Sequence, residues 1–220
     1  MPESPESIVQ KKKRILKIFK RLDKTYPGAH CALDHSNPLE LLVATILSAQ
    51  CTDKRVNLVT PALFASFKTA ADYAAAKPGK IETLIRSTGF YQSKARHIRE
   101  AARDIAEKYA GEVPKSIEQL IQLRGVGRKT ANVVLGNAFG IPGMPVDTHM
   151  IRINGLLKLT KSKDPVEIEK NLTALLTPEY WTNYSHLIIT HGRQRCIARR
   201  PDCGHCEISD LCPSRKIPAC

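Results

Sequence analysis

The sequence predicts an all-α protein. Three observations carry this. Apolar residues recur at helical spacing along nearly the whole chain. The intervals between those stretches are short and hold Ser, Thr, Asn, Asp and Gly where helix caps belong. No stretch shows the apolar–polar alternation of a half-buried strand. About ten short helices with tight connections account for the chain, and there is no fixed-period repeat or low-complexity segment. With 220 residues, 42% hydrophobic and 25% charged, it has the composition of an ordinary globular protein and can bury a core in one domain or two.

Residues 1–7 are polar and read as a frayed start. Ile8, Ile15, Ile18, Phe19 and Leu22 then share one helical face, while Lys11-Lys12-Lys13-Arg14 reads as a solvated face that adds to a general attraction for phosphate. Asn37-Pro38-Leu39-Glu40 is a helix start, with an N-cap, Pro at the first position and Glu at the third. The helix it opens, about 39–49, is apolar nearly all round and belongs in the centre of a core. Thr52 or Asp53 caps the next, and Thr69 caps a short Ala-rich one. Residues 80–87 form another, closed by Gly89. Ser93 opens a longer helix with Ala95, Ile98, Ala102, Ile105 and Tyr109 inward, stopped at Gly111. Ser116-x-x-Gln119 is a capping box, and Leu120, Ile121 and Leu123 lead to a glycine turn. A helix over 128–139 follows, then the breaker cluster Ile141-Pro142-Gly143-Met144-Pro145, read as one side of a domain boundary. Asp147 caps an apolar helix to about 159, Asp164-Pro165 opens one to about 176, and a last helix from 181 or 182 runs into four cysteines.

The net charge is +13, with a pI near 9.5, which points to a polyanionic partner such as DNA or RNA. The basic residues are dispersed and not gathered on one amphipathic helix, which argues against a membrane surface. The longest apolar run is too short to span a bilayer, and no secretion signal is seen, so a reducing compartment is expected. A disulfide framework is therefore not expected for the seven cysteines. Cys31, Cys51 and Cys220 lie apart and read as small buried or free thiols.

Chemistry concentrates in two places. In Leu123-Arg124-Gly125-Val126-Gly127-Arg128-Lys129-Thr130-Ala131, Gly125 and Gly127 permit a tight turn and close approach of a ligand to the backbone. The opening N–H groups of the outgoing helix lack intrahelical partners and suit a phosphate oxygen. Alone, this pattern also fits a Gly-rich connection between core helices. Lys129 and Asp147 form a candidate reactive pair. Partial burial, the positive end of its helix and neighbouring Arg128 would favour the neutral, nucleophilic amine of Lys129. A carboxylate at Asp147 would stabilise positive charge developing on a sugar, and can cap a helix as well. His149 reads as a structural hydrogen-bonding residue. The second place is Cys196-x6-Cys203-x2-Cys206-x5-Cys212. Four thiolates hold a tetrahedral zinc ion or an iron–sulfur cluster, and the wide outer gaps suit a cubane. With every ligand position filled, the role is structural. Arg199 and Arg200 lie between ligands, where a rigid loop would present them to phosphate.

The hairpin, then Val146-Asp147-Thr148-His149, then His191-Gly192-Arg193 before the cysteines, resemble endonuclease III, of the helix-hairpin-helix DNA glycosylases with a [4Fe–4S] cluster. Ser48-Ala49-Gln50 with Thr52-Asp53, and Gly89-Phe90-Tyr91 with Ser93-Lys94-Ala95, extend the resemblance over nearly the whole chain. It implies two helical lobes with a DNA-binding cleft between them. A six-helix lobe over 31–141 would hold the helix-hairpin-helix at about 117–136. A cluster lobe would be made of 1–30 and 142–220, with the four-Cys loop at 196–212. It further implies a bifunctional glycosylase and abasic-site lyase of base excision repair, acting on oxidised pyrimidines in double-stranded DNA. Lys129 would attack the sugar, Asp147 would assist, Gln50 would fill the gap left by the flipped base and Phe90 would wedge into the duplex. Gly125, Gly127, Arg128, Arg199 and Arg200 would hold phosphates. Cys196, Cys203, Cys206 and Cys212 would bind the cluster. A monomer, cytoplasmic and nucleoid-associated if bacterial or archaeal, is expected. Arg124 departs from the proline common before the hairpin glycine, and Thr88 from an apolar second wedge. An adenine-mismatch glycosylase and a non-catalytic DNA-binding module are the competing readings. The first generally lacks the lysine matched by Lys129; the second predicts DNA binding without strand cleavage.

Overall fold

The computed structural model describes residues 6–215; Met1 to Pro5, in the expected frayed start, and Cys220, an expected free thiol, lie outside the described residues. Among the described residues there are eleven α-helices and three 3₁₀ turns, with no strand beyond a single bridge between Cys196 and Pro201. The fold is all-α. The chain divides into two compact units, Cys31–Gly143 and Met1–His30 with Met144–Cys220. Each has its own apolar core.

Cys31–Gly143 contains α2 (Pro38–Leu47), α3 (Asp53–Ser66), α4 (Ala70–Ala74), α5 (Lys80–Ile85), α6 (Tyr91–Lys108), α7 (Ile117–Leu120) and α8 (Arg128–Ala138). Helix α2 is the centre: every residue from Leu41 to Leu47 is buried, and the helix packs against α3, α6 and α8. Its start follows from the sequence. The Asn37 side chain accepts from the Glu40 N–H at 2.9 Å, while Glu40 reaches back to the N–H and hydroxyl of Ser36. Thr52, Thr69 and Ser116 cap α3, α4 and α7 by the same kind of bond. Helix α6 departs from the sequence reading. It begins at Tyr91 and not at Ser93, with Phe90 as N-cap in a left-handed conformation (φ 48°) just after the 3₁₀ turn Arg86–Thr88 and Gly89. A serine cap was the stronger local signal, but α6 is entered through loop geometry, with no side-chain cap at all. Cys31 and Cys51 are half-buried free thiols at the edge of this core.

The other unit contains α1 (Ile8–Thr25), α9 (Thr148–Leu156), α10 (Pro165–Thr173) and α11 (Trp181–Gln194). Helix α1 buries Ile15, Ile18, Phe19 and Leu22 and packs on α11, but Ile8, expected on that face, is exposed because the first turn extends past the core. Arg14 corrects the reading of the basic run as a solvated face. Its guanidinium turns inward to the Leu157 and Leu211 carbonyls, at 2.8 and 3.1 Å, and pairs with Glu6 at 2.6 Å. Buried Tyr184 on α11 donates to Asn154 on α9 at 2.6 Å, which fixes those two helices together. Among the described residues no helix is long and apolar enough to cross a membrane.

Candidate active site and metal centre

The glycine turn is built from below. Leu123 and Val126 are buried and anchor it in the core, and the Val126 N–H donates to the Leu123 carbonyl at 3.1 Å. Gly125 has φ 78°, and a Cβ there would lie 2.8 Å from Cβ of His97 on α6. Both constraints demand glycine. Gly127 differs. Its φ is −92° and a Cβ would meet nothing within 4 Å, so nothing inside the protein requires glycine there. The open space lies where a ligand would approach the start of α8, which no side chain caps. Arg128 and Lys129 are the first two residues of α8 and both are exposed, while Ala131, Val134 and Leu135 face the core. Lys129 is thus exposed where partial burial was expected, because the second position of this helix points away from its apolar stripe. Arg124 is exposed and stands 3.6 Å from Glu100, which offsets the cation gained in place of proline. Burial, then the charges of Arg124 and Arg96, lower the pKa of His97, so it supports the turn as a neutral ring.

Gln50 and Phe90 are both exposed and both left-handed, at φ 51° and 48°. A left-handed backbone is strained for such side chains and concentrates at functional positions. Thr88 is buried, with its hydroxyl donating to the Ile85 carbonyl at 2.8 Å, so it shapes the Phe90 loop from within.

Asp147 and the cysteines belong to the other unit. Oδ1 of Asp147 caps α9 by accepting from the Met150 N–H at 2.8 Å, and the residue is half-buried. His149 packs against Gly192 of α11 so closely that a Cβ at 192 would lie 2.4 Å from its Nδ1. That close approach accounts for glycine in His191-Gly192-Arg193. Buried His191 is 3.2 Å from the Tyr26 hydroxyl through Nδ1 and 3.8 Å from Sγ of Cys206 through Nε2.

Cys196, Cys203, Cys206 and Cys212 are free thiols lining one cavity of about 220 Å³. Among the described residues no three His, Cys, Asp or Glu side chains are close enough together for one metal ion. Four soft thiol donors around one cavity fit an iron–sulfur cluster. Burial foremost pushes the Cys206 thiol up to about 11 and Cys212 upward too, with neighbouring thiols adding to both. Arg199 and Arg200 are exposed on the loop between the first two cysteines.

Sequence reasoning missed two cations. Arg152 on α9 approaches Sγ of Cys196 at 3.5 Å and donates to its carbonyl at 2.6 Å. The available signal was an arginine inside an apolar helix. Lys94 is buried, and its 94–98–101–105 spacing with Ile98, Ala101 and Ile105 already put it on the inward face of α6.

A model of the HhH-GPD superfamily of base excision DNA repair proteins matches residues 43–178, and one of the iron-sulfur binding domain of endonuclease III matches residues 196–212. Endonuclease III of Synechocystis sp. is 52% identical over 208 residues, covering 94% of this chain and 95% of its own. The chain belongs to the endonuclease III family. As a member of that family it is an enzyme of base excision repair, a DNA glycosylase and abasic-site lyase, and it carries a [4Fe–4S] cluster. Two solved structures of endonuclease III are similar to it, each with a TM-score of 0.87 and 43% identity over 92% of this chain. One is a non-covalent complex with DNA, covered over 95% of its length; the other is a trapped covalent DNA intermediate, covered over 96%.

Proposed function

We propose that this enzyme removes oxidised pyrimidines from double-stranded DNA and cuts the resulting abasic site through an imine to Lys129. The observation that carries the reading is an exposed primary amine on the second residue of a helix that no side chain caps, behind a turn whose second glycine has no internal reason to be one. The covalent DNA intermediate trapped in a relative supports an amine catalyst.

On this reading the hairpin N–H groups and Arg128 hold backbone phosphate, and Arg199 and Arg200 do the same from the cluster loop. Phe90 enters the base stack and Gln50 occupies the gap, because C1′ is inaccessible in the stacked duplex. The Lys129 nitrogen bonds to C1′ as the C1′–base bond breaks, and the base leaves with its electron pair and takes up a proton. Ring opening gives the imine. Loss of a C2′ proton then expels the 3′ phosphate, and water hydrolyses the imine to free the amine. Asp147 keeps one oxygen on its helix cap and offers the other to cationic charge on the sugar. Cys196, Cys203, Cys206 and Cys212 hold the cluster, which supplies rigidity to the loop. The enzyme acts as a monomer, in the cytoplasm at the nucleoid.

Borohydride reduction during reaction with abasic duplex tests this. A covalent protein–DNA adduct is expected from the parent protein and none from Lys129→Ala, whose strand cleavage should fall at least about a thousandfold. Cleavage by Lys129→Ala at the parental rate would remove Lys129 as nucleophile.

A further inference from the structure

One buried cation in Cys31–Gly143 has no role in the chemistry above. Lys94 is 4% exposed. Its Nζ donates to the Leu47 carbonyl at 2.8 Å and to the Thr88 carbonyl at 2.9 Å, and its own N–H donates to the Phe90 carbonyl at 3.0 Å. The Leu47 carbonyl ends α2, where helical partners run out and the helix dipole favours a cation. Three residues beyond Leu47 is Gln50; two beyond Thr88 is Phe90. Cys51, next to Gln50, is near enough to oppose the lowering of the lysine pKa that burial causes. One side chain therefore grips the two loops that carry Gln50 and Phe90, both exposed and left-handed; the other left-handed non-glycine residues among the described ones, Ala110 and Lys158, lie just past the ends of α6 and α9.

General stability does not explain a lysine here. An apolar side chain would fill the space without the cost of burying a charge among neutral carbonyls. What an apolar side chain lacks is a rigid link between two separate main-chain segments. Left-handed Gln50 and Phe90 need such a constraint, since strained backbones persist only where their surroundings over-determine them.

We propose that Lys94 is a positioning residue for base extrusion, tying the Gln50 loop to the Phe90 loop so that both side chains enter the duplex in register. The proposal rests on the reading of Gln50 and Phe90 given above. It needs no contact between Lys94 and DNA.

The test uses the full-length, cluster-loaded protein and two substrates. One is a duplex holding thymine glycol beside 2-aminopurine, whose fluorescence rises on unstacking. The other is a single-stranded oligonucleotide with an abasic site, where no base has to be extruded. For Lys94→Met, base removal from the duplex should fall about 100-fold and the fluorescence rise should be lost. Borohydride trapping on the single strand should stay within about twofold of the parent. Lys94→Arg keeps donors with altered reach and should recover about tenfold of the duplex loss. If Lys94→Met does not fold, Lys94→Arg decides alone, by a duplex defect without a single-strand defect. Equal losses on both substrates, or an unchanged fluorescence rise, would overturn the proposal. A parent protein that forms no adduct on either substrate would instead sink the Lys129 reading, and this proposal with it.

Discussion

Gly125 and Gly127 stand two residues apart in one turn, yet answer to different constraints. Gly125 is fixed by the protein itself, through φ 78° and the side of His97. Gly125→Ala should destabilise the fold by roughly 2 kcal/mol, through left-handed strain plus overpacking. Gly127 has an ordinary extended backbone and open space around it. Gly127→Ala should shift stability by only a few tenths of a kcal/mol, the usual difference for a glycine cap, yet weaken DNA binding by about tenfold or more where the methyl meets phosphate. Urea denaturation beside anisotropy on an abasic-analogue duplex separates the two, and equal behaviour of both variants would contradict this division. Gly125 and Gly127 were visible in the sequence as a pair, but their different duties were not. Nor could the left-handed backbones at Gln50 and Phe90 be read, since neither residue type marks that conformation.

At the scale of helices, the sequence was most legible where a side chain makes the cap. Asn37, Thr52, Thr69, Ser116, Asp147 and Asp164 each accept from the N–H three residues on, and each was readable as a helix start. It was least legible where tertiary contacts replace caps, as at the entry to α6, and where a charged residue turns inward to carbonyls, as Arg14 and Lys94 do. Helix α11 carries a further consequence of burial. His186 has its pKa pushed down to about 4, first by burial and then by His30. The folded state thus resists a proton that the unfolded chain takes up below about pH 6.5. Stability from a neutral His186 is full above that pH and declines as pH falls toward 4, at up to about 1.4 kcal/mol per pH unit. Between pH 7 and pH 5 the parent should lose about 1–2 kcal/mol more than His186→Gln, as read from urea midpoints. Parallel pH profiles for the two proteins would show that the buried ring is not responsible.

For the molecule as a whole, helical periodicity and the absence of strand patterning were enough to read an all-α fold, because each amphipathic stripe reports locally which side it buries. Charge works differently: a sum over the chain says that a polyanion is attracted, not where it sits. The net charge of +13 comes from cations spread over many helices. A bound duplex should therefore release several counterions at once, with affinity falling steeply and linearly on a log–log plot against salt. A slope near −4 to −6 is expected for contacts to about five or six phosphates. The hairpin and cluster-loop assignments make that slope divisible. Arg199 and Arg200 are exposed on the loop between Cys196 and Cys203, so neutralising them leaves the core untouched. The double variant Arg199→Gln with Arg200→Gln should shrink the slope magnitude by roughly 1.8, about 0.9 per lost phosphate contact, and leave single-strand lyase chemistry at Lys129 intact. An unchanged slope would mean that these two arginines point to solvent in the complex, and that other cations supply the whole of the salt dependence.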